Sequence, residues 1–109
     1  MNTISTHVLD AVKGKPAAGI AVHLELQTLA GWVIVGRGVT DADGRCRELG
    51  SDGSDGTYRL TFAVAEYFAD HDRVSIYPEI CVTFLAAAGA KYHIPLLLSD
   101  NSYTTYRGS

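Results

Sequence analysis

Apolar and polar side chains alternate along much of this chain with a period of two. Ile4, Thr6 and Val8 fall on one side of an extended segment, and Ser5, His7 and Leu9 on the other. That pattern predicts a first strand over 4–11. Gly14-Lys15-Pro16 breaks it. Ile20, Val22, Leu24 and Leu26 then alternate with Ala21, His23, Glu25 and Gln27, as in a half-buried antiparallel strand, here over 19–29. Ala30-Gly31 turns the chain into a third strand over 32–40. Asp41-Ala42-Asp43-Gly44-Arg45 contains Asp-Gly, a strong hairpin signal, and a short strand is expected at 46–49. The run from Gly50 to Gly56 is Gly, Asp and Ser throughout and predicts a loop that tolerates change. Alternation resumes over 57–62.

Helical spacing occurs once, over 63–72, where Ala65, Phe68 and Ala69 recur with Val64 four residues before Phe68. A strand follows at 76–84 with Pro78 near its start, a position proline tolerates. Tyr92 to Ser109 reads as two strands around the turn formers Ser99-Asp100-Asn101-Ser102. The Tyr and Thr residues of 103–106 suit a pleated surface, and a stretch of that kind is expected to be packed rather than frayed. Taken together, the elements predict an all-β fold: a two-sheet β-sandwich of about eight strands with one short helix.

Composition narrows the function classes. At 109 residues the chain is one domain, 1–109. A net charge of −3 argues against a nucleic-acid partner, which usually meets a basic patch. No apolar run approaches the ~20 residues that span a bilayer, so no membrane partner is expected. Residues 1–6 lack a basic and apolar leader, and a cytoplasmic location is expected. Cys46 and Cys81 form neither a metal spacing nor a disulfide framework and are expected to be separate thiols.

Candidate chemistry lies in the four histidines and a few other polar residues. His23 alternates with apolar neighbours and is expected to face solvent. His71 stands in Asp70-His71-Asp72 and reads as a surface residue. His7 and His93 sit inside expected strands. Histidine suits general-base work because its pKa lies close to working pH, yet nothing in the spacing brings these two together. Arg45 reads as a turn arginine, and Tyr106 and Arg107 as sheet or surface residues. Residue chemistry alone leads to a soluble sandwich with unassigned polar groups.

Four motifs add to this. Ser5-Thr6-His7-Val8-Leu9-Asp10, Asp43-Gly44-Arg45, Tyr92-His93-Ile94-Pro95-Leu96-Leu97-Leu98-Ser99 and Tyr106-Arg107-Gly108-Ser109 together resemble, in that order, the signatures of the 5-hydroxyisourate hydrolases, the enzyme branch of the transthyretin-like proteins. The resemblance covers nearly the whole chain. It implies a transthyretin-like (prealbumin-like) sandwich and hydrolytic opening of the six-membered ring of 5-hydroxyisourate, without cofactor or metal. It implies a homotetramer with active sites where protomers meet. By the same resemblance His7, Arg45 and His93 are catalytic, and His7, Arg45, Tyr106, Arg107, Gly108 and Ser109 bind the substrate. Lys91 stands where the family often has another histidine. Two rivals are weighed. A transthyretin-like carrier also resembles Val8-Leu9-Asp10-Ala11-Val12 but replaces the two histidines, the arginine and the tyrosine, which this chain keeps. A zinc hydrolase built on His7 and His93 lacks an evident third ligand.

Overall fold

A computed structural model describes residues 3–50 and 54–108 of the chain. Nine strands and one helix follow in the order β1 (Thr3–Asp10), β2 (Lys15–Pro16), β3 (Ala21–Thr28), β4 (Gly31–Val39), β5 (Arg45–Cys46), β6 (Gly56–Ala63), α1 (Val64–Asp70), β7 (Ile80–Ala86), β8 (Lys91–Leu98) and β9 (Tyr103–Thr105). They form two sheets. One runs β2-β1-β8-β9, with β5 also paired to β1; the other runs β4-β3-β6-β7. The expected all-β sandwich with one short helix is the observed architecture. Among the described residues no helix is long and apolar enough to cross a membrane.

The alternation read from the sequence is the alternation that packs. Ile4, Thr6, Val8 and Asp10 of β1 are buried, while Ser5, His7 and Leu9 are only partly so. Val22 and Leu24 of β3 are buried between a more exposed Ala21 and His23. The space between the sheets is filled by Ile4, Val8, Leu24, Leu60, Phe62, Leu96 and Leu98, each essentially inaccessible to solvent. Each such side chain contributes about 1.5–3 kcal/mol by leaving water.

Four expectations shift. The chain between Gly14 and Pro16 does not only break the pattern; Lys15 and Pro16 pair with Asp10 and Leu9. The strand expected at 46–49 narrows to Arg45–Cys46, although the Leu49 N–H still donates to the Ile4 carbonyl. The helix buries Val64, Tyr67 and Phe68 and leaves Ala65 and Ala69 outside. The strand expected from residue 76 starts at Ile80. Before it the Ile76 N–H bonds the Asn101 side chain and the Tyr77 N–H bonds the Ser75 hydroxyl, so neither goes to a ladder.

One polar cluster ties the helix to the first sheet. The Asp10 side chain is fully buried. It accepts hydrogen bonds from the Tyr67 hydroxyl at 2.6 Å, from Arg73, and from the Val12 and Lys13 backbone N–H groups. Arg73 continues to Asp100 in the β8–β9 turn. Burial alone would raise the Asp10 carboxyl; the Arg73, Tyr67 and Lys13 donors outweigh it and bring the pKa down to about 2. The Tyr67 hydroxyl, buried beside that carboxylate, is pushed up to about 12.

Arg73→Met should therefore lower stability in urea denaturation at pH 7 by about 3–5 kcal/mol, because it strands a buried charge. A depressed carboxylate stabilises above its unfolded pKa of about 4. That contribution, about 2 kcal/mol, should be lost as pH falls from about 4 to about 2. Wild type should show this acid loss and Arg73→Met should show less of it.

Candidate active site

The parallel pairing of β1 with β8 sets Ser5 opposite His93 and His7 opposite Pro95. The antiparallel pairing of β1 with β5 sets Arg45 opposite His7. The neighbours Thr6, Ile94 and Cys46 are buried, so by the period of two Ser5, His7, Arg45 and His93 share the outward face of the sheet. Three residues that spacing could not connect thus lie together. Beside them is a depression of about 210 Å³ lined by Thr3, Ser5, Arg45, Lys91, Tyr92 and His93.

The turn before β5 places both Arg45 and His7. The Asp41 carboxylate accepts the Asp43 and Arg45 backbone N–H groups at 2.9 and 3.0 Å, and the Gly44 N–H closes the turn on the Asp41 carbonyl. Gly44 has φ +75°, and a Cβ there would lie 2.3 Å from the Val8 carbonyl oxygen. Only glycine lets this turn lie against β1. Its carbonyl then accepts the Val8 N–H at 2.7 Å. The Asp43 carbonyl lies 2.8 Å from His7 Nε2. A carbonyl only accepts, so His7 carries its proton on Nε2, and in the neutral ring Nδ1 keeps the lone pair. Among the described residues the Arg45 guanidinium has no hydrogen-bond or ion-pair partner, which leaves its donor fork for a ligand.

His93 is held on two sides. Its Nδ1 lies 2.9 Å from the Ser5 hydroxyl. Its backbone carbonyl accepts the Gly108 N–H at 2.7 Å, and a Cβ on Gly108 would come within 2.7 Å of His93 Cδ2. Any side chain at position 108 would therefore have to push the His93 ring aside. Burial, followed by the Arg45 and His7 charges, pushes the His93 pKa below the ordinary histidine value. That shift favours the neutral ring.

The other expected site residues divide. Arg107 lies with its guanidinium carbon 4.4 Å from the centre of the Tyr92 ring and donates to the Lys91 carbonyl at 3.1 Å, bracing the wall of the depression. Tyr106 is 53% exposed and does not line the depression within one chain. Ser109 lies outside the described residues. His23 sits on the outer face of the second sheet, 3.5 Å from Glu25. His71 bonds the Tyr67 carbonyl at the end of α1. Neither joins the site. Cys46 and Cys81 are both free, as expected. Ser5 and the Asp43 carbonyl were not foreseen as parts of the site. Ser5 had a signal, since it shares a strand face with His7; the carbonyl had none.

Residues 4–108 match the model of the HIUase/Transthyretin family. The chain belongs to that family. It is 41% identical over 111 aligned positions to a 5-hydroxyisourate hydrolase of Salmonella typhi, covering 99% of this chain and 82% of that one. The solved structure of Klebsiella pneumoniae 5-hydroxyisourate hydrolase superposes with a TM-score of 0.89 at 32% identity, over the full length of both chains. Transthyretin from Sparus aurata superposes with a TM-score of 0.90, also at 32% identity, covering 97% of this chain and 96% of that one. The fold alone does not separate the two branches.

In an NMR titration His93 should protonate at lower pH than an ordinary histidine. Arg45→Met should raise its pKa while leaving it below about 6.5, because burial, the larger cause, persists. A His93 that titrates above that value in wild type would contradict the described surroundings.

Proposed function

We propose that this chain is a 5-hydroxyisourate hydrolase of urate catabolism. It opens the six-membered ring to give 2-oxo-4-hydroxy-4-carboxy-5-ureidoimidazoline. The observation that carries the reading is the gathering of His7, Arg45 and His93 on one outward face by strand register. The names of relatives across nearly the full length of the chain agree with it. A carrier would share the fold but would have no use for two imidazoles beside a guanidinium that no described residue pairs.

Hydrolysis of a cyclic amide-like bond needs a base for water, a donor for the developing oxyanion and a proton for the departing nitrogen. The surroundings of His93 favour its neutral form, and His7 in its neutral form presents a lone pair on Nδ1. The pair holds a water and takes its proton as the oxygen adds to the ring carbonyl. Arg45 stabilises the negative charge on the carbonyl oxygen. When the C–N bond breaks, the imidazolium returns the proton to the nitrogen, and the carboxylic acid that forms releases its remaining proton to solvent as a carboxylate. These side chains supply the needed roles with no cofactor. Among the described residues no three His, Cys, Asp or Glu side chains are grouped to hold a metal ion.

Assembly completes the site in this reading. Strands β7 and β9 lie at the ends of their sheets, where unpaired backbone groups invite a partner. Tyr106 is left exposed beside β9. In a homotetramer a second copy would cover it, and Tyr106, Arg107, Gly108 and Ser109 would close the pocket around the substrate. We place the reaction in the cytoplasm, where an exposed free thiol such as Cys81 persists.

The test is the decay of 5-hydroxyisourate, generated from urate by urate oxidase, with and without the protein. His7→Ala and His93→Ala should each lower kcat by about two to four orders of magnitude. Arg45→Lys should lose about tenfold or more, since it keeps the charge and loses the fork. Folded histidine variants with full activity would refute the reading. Separately, light scattering after size exclusion should give about four chains per particle, a closed symmetric assembly; a stable, active monomer would refute the tetramer.

A further inference from the structure

Ser5 lines the depression and has no role in the steps proposed so far. It lies directly opposite His93 in the parallel register, and its hydroxyl stands 2.9 Å from His93 Nδ1. No other side chain of the described residues bonds that hydroxyl. The ring is thus held at Nδ1, and Nε2 is left on the other side of the ring. No protein group of the described residues bonds Nε2.

A serine hydroxyl can donate or accept, so distance alone leaves two tautomers. The charges around the depression separate them. Arg45 and Lys91 both line it, and neither forms an ion pair among the described residues. Ser5 occupies Nδ1, so Nε2 is the nitrogen left to the depression, and nearby positive charge favours a lone pair over an N–H there. The tautomer that meets this has the proton on Nδ1, donated to Ser5 Oγ, and the lone pair on Nε2.

We propose that Ser5 is a positioning residue: by accepting the His93 Nδ1–H it holds the imidazole in the tautomer whose Nε2 can take a proton from water. This rests on the hydrolase reading and assigns His93 the nitrogen that does the work. His7 works through the opposite nitrogen, because its Nε2–H is held by the Asp43 carbonyl. The two rings then present Nε2 from one strand and Nδ1 from the other. The tautomer of each is fixed by the neighbour its other nitrogen bonds, as is usual for functional histidines.

The test joins a spectroscopic and a kinetic readout on the full chain. Two-bond proton–nitrogen spectra of protein labelled with ¹⁵N-histidine, recorded at a pH where His93 is neutral, should show its proton on Nδ1 in wild type. Ser5→Ala should return the ring to the Nε2–H form or a mixture. Its kcat should drop about tenfold, the worth of one hydrogen bond, with KM changed less than about twofold. Ser5→Thr, which keeps a hydroxyl, should restore both the tautomer and most of kcat. A wild-type His93 protonated on Nε2 would overturn the proposal. So would Ser5→Ala with unaltered tautomer and rate. If wild type itself fails to hydrolyse 5-hydroxyisourate while the tautomer still depends on Ser5, the positioning stands and the hydrolase reading falls.

Discussion

The site depends on one register, the parallel pairing of β1 with β8. A slip of β8 by one residue would turn His93 toward the core and Ile94 and Leu96 toward solvent, while His7 on β1 stayed outward, because side chains alternate with a period of two. Burial of Ile4, Val8, Leu96 and Leu98 between the sheets therefore fixes which face carries the candidate site residues. The same apolar burial that drives folding also determines which polar groups meet.

Around that register, short polar devices set the finer geometry. The Asp41–Gly44 turn lies against β1 and presents Arg45 opposite His7. Thr6, buried on the inner face, donates its hydroxyl to the Ile94 carbonyl at 2.6 Å and binds the two strands between the histidine positions. Pro95 has no N–H for a ladder, and its carbonyl accepts the Thr105 hydroxyl of β9 at 2.8 Å instead. The Asp10–Arg73–Asp100 cluster anchors the far end of β1 to the β8–β9 turn. Each device acts on β1, β8 or the chain that follows β9, the segments that carry the site.

How much of this was legible in the sequence varies with the range of the interaction. Alternation in residues 4–10 and 20–26 was enough to orient β1 and β3, since that pattern is local and one face is buried. The Asp-Gly turn was equally local. The late start of β7 was not legible, because the Asn101 side chain that takes the Ile76 N–H lies 25 positions away. Arg73 carries no local signal of its role, because its partner Asp10 is 63 positions distant. For the site, residue types and spacing left His7 and His93 as isolated strand histidines. The resemblance of four motifs singled them out, and the parallel register supplies the physical reason they belong together. Ser5 could have been added by parity with His7. The tautomer of His7 could not, since it depends on a backbone carbonyl 36 positions away.

The central claim is that 5-hydroxyisourate is bound and opened on the β1–β8–β5 face. A crystal structure of the assembled protein with a non-hydrolysable cyclic ureide analogue tests it most directly. The account predicts the analogue ring against His7 and His93, with a ring carbonyl oxygen within hydrogen-bond distance of the Arg45 guanidinium, about 2.7–3.1 Å. An analogue seated elsewhere, such as the groove lined by His23 and Arg37 on the outer face of the second sheet, with no contact to the two histidines, would contradict it.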